Sequence, residues 1–89
     1  MIVKDPNTIV VGRRPRDDYV LSAIVLLNQG ADYAIIRGQG ELIYKAVDVY
    51  NALKERLGSS IRLEEVRIGS EKLGARRLSY IEIKVRHAF

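Results

Sequence analysis

The segment Gly12-Arg13-Arg14-Pro15-Arg16 concentrates the chemistry this chain can offer. Guanidinium groups stay charged at physiological pH and fork onto phosphate through paired N–H donors. Gly12 allows close backbone approach and Pro15 stiffens the turn, so three arginines surround a junction suited to gripping a polyanionic backbone. Asp17 and Asp18 follow directly, and the same segment reads equally well as a solvated basic patch partly neutralised by those carboxylates.

A second basic cluster, Lys72, Arg76 and Arg77, falls between two alternating stretches. A basic β-arm can reach into a groove or along a phosphate backbone; the alternative is a charged loop that keeps a hairpin soluble. Gly38-Gln39-Gly40 stands between a strand pattern and a helix pattern, where free backbone N–H groups can hold phosphate. A tight turn explains it as well, and Gln39 could touch phosphate or sugar from such a turn. It matches neither a dinucleotide fingerprint nor a P-loop.

No catalytic set assembles. His87 is the single histidine and stands near the C-terminus, where fraying is expected; there is no cysteine; the serines lack a nucleophile context. The adjacent pairs Asp17-Asp18 and Glu64-Glu65 diverge in direction, which makes them poor metal or dyad ligands. No enzyme, cofactor, metal or small-molecule substrate is expected.

The elements that must position these groups follow from periodicity. Thr8-Ile9-Val10-Val11 reads as a short strand stopped by Gly12. A helix follows, with Pro15 in its first turn, Asp17 and Asp18 complementing its dipole, and Gly30 ending it. Val20, Ala23, Ile24 and Leu27 share one face, while Leu21, Val25 and Leu26 make other faces apolar, predicting burial on several sides. Tyr33–Arg37 is a second strand. A second helix spans about Glu41 to Leu57, with Ile43, Ala46, Val47, Tyr50 and Leu57 near one stripe, Leu42, Val49 and Leu53 widening it, and Glu41 paired to Lys45 on the polar side.

Beyond Gly58 the period changes to alternation. Ile61 and Leu63 are odd, Val66 and Ile68 even, so the parity switch across Glu64-Glu65 predicts a β-bulge in a long strand. Leu78–Arg86 alternates cleanly, and Glu71–Arg77 reads as a hairpin connection longer than a tight turn. The order β-α-β-α-β-β predicts an α+β fold, two helices covering one face of a mixed four-stranded sheet with a long hairpin joining the third and fourth strands.

Eighty-nine residues suit one domain, residues 1–89, with a single core. Fifteen Lys and Arg against eleven Asp and Glu give a net charge of +4, which favours polyanion partners. No run approaches the ~18 apolar residues of a membrane span, and the start, Met1 to Pro6, lacks a secretory pattern. The lack of cysteine excludes disulfides and thiolate metal sites, in keeping with a cytoplasmic location and no membrane partner.

Taken together these motifs resemble the Alba family of small archaeal chromatin and RNA-binding proteins. Val10-Val11-Gly12-Arg13-Arg14-Pro15 is similar to the family's apolar-Gly-Lys-Lys-Pro motif, and Tyr19-Val20-Leu21-Ser22-Ala23 continues it. Leu26-Leu27-Asn28-Gln29-Gly30, Ile43-Tyr44-Lys45-Ala46-Val47-Asp48 and Val66-Arg67-Ile68-Gly69-Ser70 follow in the family's order. The resemblance implies a homodimer, or a heterodimer with a paralogue, that binds double-stranded DNA or RNA without sequence preference and associates with the chromosome. Its phosphate ligands are implied to be Arg13 and Arg14, assisted by Arg16, Gln39, Lys45, Lys72, Arg76 and Arg77, with the hairpin reaching along the minor groove.

The departures are specific. Arginines replace the familiar lysine pair and cannot be lysine-acetylated. Gln39 and Glu41 stand where better-known members carry arginines. Leu57 occupies the place of an aromatic residue implicated in contacts between dimers. These features resemble a divergent second paralogue, and leave two alternatives: a partner subunit that modulates packing with weak binding of its own, or an RNA-binding ribonucleoprotein subunit.

Overall fold

A computed structural model describes residues 5–88. Residues 1–4, which include most of the start read above for a secretory pattern, and residue 89 lie outside the described residues. The element order is β1 (Thr8–Val10), α1 (Arg16–Asn28), β2 (Tyr33–Gln39), a 3-10 turn (Gly40–Leu42), α2 (Ile43–Leu57), a second 3-10 turn (Gly58–Ser60), β3 (Ile61–Leu73) and β4 (Arg76–His87). The sheet runs β1-β2-β4-β3, with β1 parallel to β2 and the other neighbours antiparallel. This is the α+β arrangement that the periodicity predicts.

The core lies between sheet and helices. Val20, Ala23 and Leu27 of α1 and Ala46, Val49 and Leu53 of α2 pack on Ala34 and Ile36 of β2 and on Ile83 and Val85 of β4. Ile36 and Leu53 are fully buried, each removing about 1.5–3 kcal/mol worth of apolar surface from water. α1 is buried on one side only: Leu21 and Val25 are exposed, because the sheet and α2 meet a single face and nothing among the described residues covers the others. The expectation of burial on several sides is therefore corrected. On α2 the buried stripe is Ala46, Val49 and Leu53, and Val47 turns outward.

Pro15 stands one residue before the first turn of α1, with an extended ψ of 146°, and Asp17 and Asp18 occupy that turn as expected. β1 ends at Val10, and β2 runs on through Gly38 and Gln39, which pair with Ile81 and Tyr80 of β4. Gly38 is thus a packing residue: a Cβ there would lie 2.5 Å from the Leu42 carbonyl oxygen and 2.7 Å from the Ala46 Cβ. Of the Gly-x-Gly segment only Gly40 turns the chain, with φ +61°, while Gly38 and Gln39 belong to the strand.

The bulge falls where the parity switch puts it. Leu63 pairs with Val85 and Glu65 with Lys84, leaving Glu64 as the extra residue. The hairpin connection is shorter than the sequence suggests. Leu73 pairs directly with Arg76, so only Gly74 and Ala75 turn the chain, and Gly74 has φ +64°. Glycine at the first central position is the pattern of a type II′ turn, whose twist matches the strands it joins. A charged run conceals this ladder because charged residues stand on both faces of the arm, Lys72 and Arg77 on one and Glu71 and Arg76 on the other. His87 does not fray: it pairs with Ile61 and its backbone N–H donates to the Asp32 carbonyl.

Candidate nucleic-acid interface

The loop joining β1 to α1 carries Arg13 and Arg14 at the surface, and Arg16 follows, exposed, as the first residue of α1. Each guanidinium faces a carboxylate. Arg13 pairs with Glu41 at 3.1 Å, Arg14 with Asp18 at 3.9 Å, and Arg16 with Asp17 at 3.3 Å and Asp48 at 3.8 Å. The side chains of Arg13 and Glu41 are 81% and 76% exposed, so their pairing contributes at most about 1 kcal/mol.

Lys45 does not join Glu41. Its ammonium instead donates to the carbonyls of Gly12, at 2.8 Å, and of Arg14. Two backbone acceptors in a fixed loop outcompete one exposed carboxylate on the same helix, and Glu41 is left to Arg13. Gln39 also turns away from the loop, its amide donating to Glu71 at 3.1 Å.

Arg13, Gln39 and Gly40 share a cleft of about 380 Å³ with Arg76 and Leu78 at the start of β4. The arginine loop and the hairpin arm thus meet at one end of the sheet. Register splits the second basic cluster. Lys72 and Arg77 oppose each other on one face of the ribbon, and Arg76 points from the other. Arg77 donates to the Ser70 hydroxyl at 3.2 Å. Leu57 is half-buried against the core at the end of α2.

The sequence reading missed the group that anchors the arm. Arg37, only 8% exposed, donates to Glu82 at 2.5 Å and to Glu71, and stacks 4.3 Å from the Tyr80 ring centroid. These residues come from β2, β3 and β4, so one guanidinium ties the base of the hairpin to the sheet. Only the alternation of β2, which sends Arg37 to the face opposite Ile36, hints at it. Farther down the sheet, Arg86 hydrogen-bonds Glu64, with Lys84 at 3.5 Å, and holds that carboxyl below its usual pKa. Asp5 is lowered chiefly by the hydrogen bond it accepts from the Tyr33 hydroxyl. Among the described residues no group of three or more His, Cys, Asp or Glu could hold a metal, and no helix is long and apolar enough to cross a membrane.

The Alba family profile matches residues 7–70, which include the arginine loop, both helices and most of β3. The chain belongs to the Alba family. DNA/RNA-binding protein Alba 2 of Saccharolobus solfataricus is 48% identical over 84 residues, covering 93% of this chain and 94% of that protein. Alba 2 of Saccharolobus shibatae is 49% identical over the same length and coverage. These two relatives identify the chain as a second-paralogue type of Alba protein, as its departures from the better-known pattern suggest. They are named as binding proteins, not enzymes. The Alba structure from Thermoplasma volcanium superposes with a TM-score of 0.82 at 34% identity, covering 90% of this chain and 99% of that one. The ALBA1 structure from Trypanosoma brucei shares the fold, with a TM-score of 0.84 at 24% identity over 97% of this chain and 73% of that one.

Proposed function

We propose that this Alba protein binds double-stranded nucleic acid, DNA or RNA, as a dimer, through phosphate contacts that carry little sequence information. One observation carries the reading: Arg13 of the exposed arginine cluster and Arg76 of the basic hairpin arm line one cleft. Similarity to relatives named DNA/RNA-binding proteins supports it. Arg13 and Arg14 are the main phosphate ligands, with Arg16, Lys72, Arg76 and Arg77 in support. Gln39, whose amide donates to Glu71, and Lys45, whose ammonium donates to loop carbonyls, are read as supporting the arm and the loop in place of gripping phosphate.

Dimerisation rests on a separate observation. Leu63, Val66 and Ile68 stand on the helix-side face of edge strand β3 and are exposed, Ile68 at 78%. Ile43 of α2 lines a cleft with Ile68, and Tyr44 and Val47 extend exposed apolar surface along the helix. Such a band on an edge strand is an interaction surface, and a second Alba chain, identical or paralogous, fits it by presenting the same band. Leu57 is assigned to contact between neighbouring dimers on a duplex, and chromosome association follows from binding without sequence preference.

The reading is tested by salt-titrated binding to several unrelated DNA and RNA duplexes. The expected result is similar affinity for all sequences of one duplex type and a steep linear loss with log salt, about 0.9 per phosphate neutralised. Salt-insensitive binding, or strong discrimination between unrelated sequences, would contradict it.

A further inference from the structure

The backbone flanking Arg13 is held from two directions by half-buried residues of the two helices. Lys45, half-buried in α2, donates to the Gly12 carbonyl at 2.8 Å and to the Arg14 carbonyl, across 33 and 31 positions of sequence. Tyr19 of α1 accepts the Arg14 backbone N–H on its hydroxyl at 3.1 Å, and its ring lies under the Lys45 ammonium at 5.5 Å from centroid to Nζ. The hydroxyl fits because position 12 is glycine: a Cβ there would come within 3.0 Å of it. Three backbone groups around Arg13 are therefore fixed, while its side chain stays exposed and makes only a surface pair with Glu41.

We infer that Lys45 and Tyr19 are positioning residues for nucleic-acid binding, a clamp that pre-orders the 12–14 backbone so that Arg13 and Arg14 meet phosphate already placed. This rests on the reading that the arginine loop is a phosphate site. The physical gain is entropic. Fixing one residue's backbone costs about 1–2 kcal/mol, roughly a tenfold factor in affinity, and a loop ordered beforehand does not lose it on binding. The Lys45 charge is spent on carbonyls behind the loop, so it contributes order in place of a phosphate contact.

The test compares Tyr19→Phe, Lys45→Gln and the double variant Arg13→Ala/Arg14→Ala on one DNA duplex across a salt series. Backbone ¹⁵N order parameters of residues 12–14 and thermal unfolding are followed in parallel. Tyr19→Phe changes no charge and removes only the hydroxyl. It is expected to weaken binding about tenfold, with an unchanged salt slope, lowered order parameters at residues 12–14 and little change in unfolding temperature. Lys45→Gln is expected to act in the same way, whereas the arginine double variant loses slope. If Lys45→Gln instead loses about 0.9 of slope per copy, Lys45 is a phosphate ligand and the clamp is wrong. Unchanged affinity and loop order in Tyr19→Phe would also overturn it, and this variant decides the matter if Lys45→Gln fails to fold. An arginine double variant that binds like the parent would overturn the phosphate-site reading itself, a result separable from failure of the clamp alone.

Discussion

In the loop after β1 every arginine faces a carboxylate, whereas on the hairpin arm neither Lys72 nor Arg76 has an ion pair among the described residues. The two regions also owe their shapes to different forces. The loop is irregular and is held by side chains from both helices, Tyr19 and Lys45. The arm is a regular ladder down to a two-residue turn and is held at its base by Arg37 between Glu71 and Glu82. The difference teaches that charge and placement are separable. The arm offers open charge on a stiff ribbon; the loop offers denser charge already paired with carboxylates, which a phosphate would have to displace under the proposed reading.

The largest expected effect breaks the arm and spares the loop. Arg37→Ala leaves Glu71 and Glu82 together without their cation, and removing one partner of a buried ion pair costs about 3 kcal/mol or more. Thermal unfolding is expected to fall by about 10 °C or more for a domain of this size, with the salt slope of any remaining folded protein unchanged. A loss of slope without loss of stability would show that Arg37 acts on phosphate and not on the fold.

A smaller effect acts on the loop alone. Glu41→Gln releases Arg13 from an exposed pair and removes a negative charge beside the cleft. Duplex affinity at low salt is expected to rise, by up to about fivefold per site for a competing pair worth up to about 1 kcal/mol, with unfolding temperature unaffected. Unchanged or weaker binding would mean that the pair orders Arg13 for binding instead of competing with phosphate.

The smallest effect concerns pH. Glu64 and Asp5 bind protons less readily in the folded chain than in the unfolded one, because of Arg86 and Tyr33 respectively. Their contribution to stability is therefore present above the unfolded carboxylate range, about pH 4, and is lost as pH falls through their lower folded values. Thermal unfolding across an acid series is expected to decline less steeply in Glu64→Gln than in the parent. An identical decline would remove Glu64 from the account.

The two regions also differ in how much of them the sequence discloses. The bulge at Glu64 was legible because one face of β3 is apolar, so a slip of one residue shows as a change of parity. Nearer the tip charged residues stand on both faces, the parity signal vanishes, and a two-residue turn at Gly74-Ala75 passes for a longer loop. The arginine loop was legible as charge next to a glycine and a proline. Its clamp was not, since Lys45 lies more than thirty positions away and the i,i+4 spacing pointed to Glu41 instead. Arg37 was likewise hidden, because its partners Glu71 and Glu82 are brought to it only by the β2-β4-β3 strand order. The open side of α1 could not be told from a buried one, since Leu21 and Val25 are apolar whichever way they face.

The most direct test of the central claim, that the loop arginines grip phosphate, is the salt dependence of duplex binding by Arg13→Ala/Arg14→Ala set against the parent. For the proposed dimer, loss of two ligands from each copy is expected to lower the slope of log affinity against log salt by about 3.6. The fold and dimer should remain intact, because neither guanidinium contributes to the core. A double variant with the parent's slope would contradict the account.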